Sequence, residues 1–363
     1  MTKFNIETHL KNLPSNTQSI NLRDKQLTYL PDLSRFKYLR YLDCSNNKLT
    51  SLPKLNSKLI NLDCSNNQIT SLPELNTKLL YINCQHNQLT SLPELNTELK
   101  YLNCHHNQLT SFPKLNKNLI SLYCSCNLLT TLPKLNNNLE YLVCYNNQIT
   151  SLPELNTELK NINCQHNQLT SLPELNTELK YLNCHHNQLT SLPKLNKNLK
   201  RLVCSCNLLT TLPKLNNKLE ELVCYNNKLT SLPQLNENLL ELLCYNNQLT
   251  YFPELNDKLI NFQHNVNYDG IYLSPYYYEE NPASDIIMRE DTIIRPNITI
   301  YKMQINIHNR FRHLCFCLKY KRQFLKWLWE RVREPKIKQK YHPDKLNELL
   351  TEESDLNEVL EKW

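Results

Sequence analysis

The chain has 363 residues, a formal net charge of +7 and a single glycine, Gly270, so no loop here can supply the Gly-rich backbone that cradles phosphate. No stretch reaches the roughly eighteen apolar residues of a membrane helix, and the opening MTKFNIETHLKN lacks the apolar core of a secretory signal. The expectation is a soluble, intracellular, cytoplasmic protein. Of 15 cysteines, 13 fall within one recurring motif, which fits buried free thiols in a reducing compartment better than a disulfide framework.

In chain order, residues 1–16 precede any pattern and are read as an N-terminal cap. Residues 17–267 form a repeat region of about 12 units. A divergent unit around Ile20, Leu22 and Leu27 comes first, and cysteines then recur every 20 residues from Cys44 to Cys244 without a slip. Taken from the copy holding Leu59, Leu62, Cys64, Asn67, Ile69, Leu72, Pro73 and Leu75, the unit reads LxxLxCxxNxLTxLPxLNxx. A fixed period of this size means a solenoid, in which each unit buries its apolar face only against its neighbours.

Within each unit the alternation of Leu42 and Cys44 with Tyr41, Asp43 and Ser45 predicts a short strand with one apolar face. Equal path lengths bring successive strands back in parallel, about 4.8 Å apart, giving a ribbon of about 55 Å. Leu-Pro in the second half fixes one φ and removes a donor, so the return side should be extended and non-helical. The asparagines from Asn47 to Asn247 sit where the chain leaves the strand, placed to satisfy backbone groups of their own and the neighbouring turn. A larger period overlies the first. Residues 84–103 and 164–183 are identical, and the next forty residues of each block differ at six positions, so any site on this region should occur twice.

The LxxLxCxxNxL segment resembles the leucine-rich-repeat family, with Cys in place of the third Leu. The resemblance implies a leucine-rich-repeat horseshoe, a repeat solenoid with parallel β-strands on the concave face and an extended, non-helical convex side. The short unit with Leu-Pro is similar to the bacterial effector subclass. Some members of that subclass carry a ubiquitin ligase domain, but the roughly 96 residues after the repeats are too few for one. Richness in Asn, Lys, Ile and Tyr is similar to that of giant DNA virus proteins, which implies a viral leucine-rich-repeat protein acting in a host cell.

If Leu62 and Cys64 point inward, the alternating residues form the concave face. Its candidate partner-binding residues are Tyr41, Tyr81, Tyr101, Tyr141 and Tyr181 in one column, Tyr123 in the next, and His105, Tyr145, His185, Tyr225 and Tyr245 in the third. Tyrosine with His and Asn suits a binding surface, because the ring buries area at low entropic cost and its hydroxyl can pair. Tyr and Asn are also common throughout this chain, and strand propensity alone could place them there. One repeat position carries His86, His106 and Cys126, and again His166, His186 and Cys206, in neighbouring units. That column is too loose a constellation for a metal assignment, so no metal ligand is assigned.

Residues 268–300 read as a linker and C-terminal cap, and 301–363 as a small helical region. Residues 301–345 carry 13 Lys or Arg against 3 acids, whereas 346–363 form an acidic tail of net −5. Phe311, Leu314, Leu318, Leu325, Leu328 and Val332 fall at helical spacing, giving a basic amphipathic helix that Pro335 ends. It packs as structure, binds an anionic membrane surface or partner through residues 309–333, or, least favoured, binds nucleic acid. The segment WLWERVREPKIKQKYHP is similar to tails on giant-virus repeat proteins.

No catalytic residues and no cofactor are assigned. The function expected is a non-catalytic, monomeric scaffold that binds an unidentified protein through its concave face. The alternatives are an adaptor whose basic tail recruits an enzyme such as a ubiquitin ligase, and a tether to nucleic acid or a membrane surface.

Overall fold

A computed structural model of the protein describes residues 4–250 and 252–264. The chain divides into two compact units, Met1–Ile298 and Thr299–Trp363, and the second lies outside the described residues. So do the expected linker, basic helix and acidic tail.

The chain opens on a helix, α1 (Ile6–Asn12), whose N-cap Asn5 accepts a hydrogen bond from the Thr8 amide at 3.0 Å. Seven residues are too few for a helix to persist alone, so packing must hold it. Ile6 and Leu10 are buried, and the Tyr29 hydroxyl donates to Glu7 at 3.1 Å, tying the helix to the first repeat. This helix falls within the expected N-terminal cap and is the one helix among the described residues.

Three-residue strands follow: β1 (Ser19–Asn21), β2 (Tyr41–Asp43), β3 (Asn61–Asp63), β4 (Tyr81–Asn83), β5 (Tyr101–Asn103), β6 (Ser121–Tyr123) and β7 (Tyr141–Val143). After them come β8 (Asn161–Asn163), β9 (Tyr181–Asn183), β10 (Arg201–Val203), β11 (Glu221–Val223), β12 (Glu241–Leu243) and β13 (Asn261–Gln263). They form one parallel sheet in sequence order, each strand pairing only with the one before and the one after, in register with the repeat. The middle residue of each strand, such as Leu62 or Leu122, is buried. The return path from each strand to the next contains no helix, as Leu-Pro requires.

The eleven cysteines at the 20-residue interval, Cys44 to Cys244, are fully buried free thiols, while Cys126 and Cys206 are half-buried. Burial pushes the Cys84 and Cys164 thiols up to about 12, so they behave as small apolar groups filling the space behind the strand.

Two asparagine ladders serve the backbone polar groups of the turns. Asn127 donates to the carbonyls of Cys104 and Cys124 at 3.1 Å and of Ser125 at 3.0 Å, and its Oδ1 accepts from the Leu109 amide at 2.9 Å. The same four bonds recur at Asn87, Asn107 and Asn147. This is the structural role the repeat position implied. The second ladder, on the return side, was not anticipated: Asn176 donates to the carbonyls of Asn156 at 2.6 Å and Leu159 at 2.9 Å, and Asn196 and Asn236 repeat the pattern. Between strand and first ladder, one residue per unit takes the left-handed conformation, with φ of 50–55° from Asn46 to Asn246, including His86, His106, Cys126, His166, His186 and Cys206. Asparagine and histidine are enriched in this region, and cysteine is costlier there.

Candidate functional site

Because the strands are in register, side chains pointing away from the core line up in columns about 4.8 Å apart. That spacing suits aromatic stacking. Tyr81 and Tyr101 stack with centroids 4.3 Å apart and planes 8° from parallel, and Tyr123 leans against Tyr101 at 5.3 Å. Burial among these rings, and the neighbouring Tyr81 and Tyr123, push the Tyr101 hydroxyl well above its ordinary value. Tyr225 and Tyr245 make a second stack, 4.5 Å apart and 5° from parallel.

Of the residues expected on this face, Tyr41 and Tyr141 are exposed, while Tyr81, Tyr101, Tyr123, Tyr181, His185, Tyr225 and Tyr245 are half-buried. Two expectations require correction. His105 and Tyr145 are only 4% and 7% exposed, so neither offers a free surface. The third column lies past the end of the strand, and at this pair the two rings pack against each other. Ser125 between them is small enough for Tyr145 to cross a whole unit, bringing its ring to 5.5 Å and its hydroxyl to 3.4 Å from Nε2 of His105. Tyr225 crosses over Ser205 to His185 in the same way, with rings 5.8 Å apart.

The histidines converge differently from the column expected. His86 stacks on His106 at 4.3 Å, as the column implies, but the third member is His105, edge-on to both at 5.7 and 4.2 Å. The left-handed turn at His106 folds its ring back beside the residue before it. Cys126 instead accepts a weak bond from the Asn146 amide at 3.5 Å. His166, His185 and His186 repeat the arrangement, with centroids 4.4, 5.4 and 4.3 Å apart. Burial, and then the adjacent histidines, lower His105 and His185 to about 4, so both rings are neutral at pH 7. Leu128 and Leu208, 46% and 41% exposed, are equivalent apolar residues of the two copies that sequence columns do not single out.

The two copies of the duplicated block differ at residues 112, 120, 121, 123, 138 and 141 against 192, 200, 201, 203, 218 and 221. Three of these six face outward. Ser121, Tyr123 and Tyr141 become Arg201, Val203 and Glu221. In the second copy the Arg201 guanidinium lies 5.4 Å from the Tyr181 ring and its Nε bonds Glu221 at 2.7 Å. The first copy therefore presents an aromatic patch and the second a charged pair.

Glu221 sets a pH dependence. Burial raises its carboxyl from 4.5 to about 7, against the pull of Arg201 and with a push from Glu241. Between those values the folded chain binds a proton that the unfolded chain releases, so stability falls as pH rises from about 4.5 to about 7. Thermal unfolding across this range should show that fall, and Glu221→Gln should flatten it. An unchanged slope in the variant would show that the carboxyl is not raised.

Among the described residues, the His185 and Ser205 pair, 2.7 Å apart, is the nearest thing to an activated nucleophile, and Ser205 is fully buried and out of a substrate's reach. No described helix is long and apolar enough to cross a membrane.

The described residues form a repeat solenoid, one parallel sheet whose outward side chains stand in stacked columns. The chain belongs to the leucine-rich-repeat proteins and is related to bacterial effector members of that family. The structure of YopM from Yersinia enterocolitica matches with a TM-score of 0.63 at 31% identity, over 70% of this chain and 61% of that one. A leucine-rich-repeat protein of Leptospira interrogans matches with a TM-score of 0.54 at 31% identity, over 66% and 75%. YopM, a leucine-rich effector protein from Yersinia pestis, gives 0.53 at 28%, over 72% and 91%. The chain thus spans about 61% of the first of these structures. All three come from bacteria, so they lend nothing to a viral source. No protein-family model matches the sequence, nor does any curated protein.

Proposed function

We propose that the outward strand face, the concave side of a horseshoe, grips a protein partner, and that the grip centres on the tyrosine patch of β4 to β7. The observation that carries this reading is the continuous run Tyr81, Tyr101 and Tyr123, stacked or leaning ring on ring, with the exposed Tyr141 beside it. Rings already held by their neighbours lose little entropy on binding, and such anchors dominate interface energies. The working compartment proposed is the cytoplasm.

The test uses substitutions that the repeat already tolerates. Asn161 occupies the same repeat position as Tyr101 three units further on, and Val203 that of Tyr123 in the second copy of the block, so Tyr101→Asn with Tyr123→Val should fold normally. A photo-crosslinkable residue at Tyr141 in the full chain should trap a protein partner from cell extract. Titrating that partner against the double variant should then show affinity lower by on the order of 100-fold. Equal affinity of both forms would remove the tyrosine patch from the interface.

A further inference from the structure

We propose that this chain binds two divalent transition-metal ions of the Zn2+ type, one at His86, His105 and His106 and one at His166, His185 and His186. In each triad one candidate ligand nitrogen from every ring lies within 4.8 Å of the other two. Three nitrogens around one Zn2+, each at about 2.0–2.1 Å, stand about 3.3 Å apart in a tetrahedron, so closure asks each ring to move by about 1 Å. Imidazole ligands suit Zn2+, Cu2+ and Ni2+, and three of them leave a coordination position for water.

Several features favour ligation over chance clustering. The backbone supplies two ligands from the left-handed turns of adjacent units and the third from the residue just before one of those turns, so main-chain geometry fixes all three. A ligating histidine ordinarily bonds a neighbour through its other nitrogen. Nδ1 of His185 lies 2.7 Å from the Ser205 hydroxyl, and with Nδ1–H donating to that oxygen, Nε2 keeps its lone pair for a metal. Ser125 holds the equivalent place in the first triad, where its buried hydroxyl has no hydrogen-bond partner and Nε2 of His105 instead lies 3.4 Å from the Tyr145 hydroxyl. Both triads lie in a stretch, 84–111 and 164–191, that is identical in the two copies, so the two sites are built from the same side chains. They sit four units apart, about 19 Å along the sheet.

Metal binding is separate from the partner reading, since the tyrosine patch contributes no ligand, and either can fail without the other. The experiment is titration of the full, chelator-treated chain with Co2+, followed by visible absorption. The expected result is two equivalents with the intense d–d bands of low-coordinate nitrogen ligation and no sulfur charge-transfer band. Asparagine occupies the same left-handed position in five other units, at Asn46, Asn66, Asn146, Asn226 and Asn246, so His106→Asn and His186→Asn keep the fold, which circular dichroism verifies. Each single variant should bind one equivalent and the double variant none. Two equivalents retained by the folded double variant, or a thiolate band in the spectrum, overturns the proposal.

Discussion

Asn127→Asp should destabilise the solenoid by about 3–5 kcal/mol, more than Asn127→Ala at about 2–3 kcal/mol, although aspartate is the isosteric change. The reason lies in what each loss leaves behind. The carbonyls that Asn127 serves keep other donors: Asn107 still reaches Cys104, Asn147 still reaches Cys124, and the His106 amide still reaches Ser125. Alanine therefore orphans chiefly the Leu109 amide, whose acceptor was Oδ1 of Asn127 at 2.9 Å. Aspartate keeps that acceptor but points its second oxygen, in place of the amide donor, at three carbonyl oxygens that stood 3.0–3.1 Å away. A buried carboxylate there meets repulsion as well as lost hydration. Urea unfolding of the two variants at neutral pH decides the order. If aspartate proves the milder change, the amide is oriented the other way and the ladder runs through different donors.

Much of this fold is written in the spacing of single residues. The interval from Cys44 to Cys244 sets the strands, their parallel order and their register, because a solenoid allows one residue only one depth in the stack. The ladder at Asn127 was equally legible, since a turn that repeats must satisfy the same buried groups each time. The second ladder, at Asn176 and Asn196, carries the same signal in the LNxx end of the unit. What columns cannot express is contact between different positions of the repeat. His105 and His106 converge through a positive φ, and Tyr145 reaches His105 across two units because Ser125 is small. Both are contacts between unlike positions of the repeat, so a reading that compares like position with like places His105 and Tyr145 on an open face that they do not reach.

Leu142→Ala should cost about 3–5 kcal/mol, and the loss should stay local. Leu142 is fully buried at the middle of the sheet, paired in register with Leu122 and Ile162. Removing three carbons there leaves a cavity that a strand fixed on both sides cannot close by shifting. Each strand pairs only with its immediate neighbours, so the free energy of opening is a sum of unit and interface terms. Amide hydrogen exchange should therefore show protection falling most in β6, β7 and β8 while β2 and β11 keep theirs. The substitution falls between the two histidine triads, the first in the turns after β4 and β5 and the second in those after β8 and β9. If exchange accelerates equally along the sheet, the solenoid opens as one block and the two triads cannot act independently. If protection is lost only around β7, the duplicated halves behave as separate rigid platforms, and a partner on one face need not alter the metal site on the other.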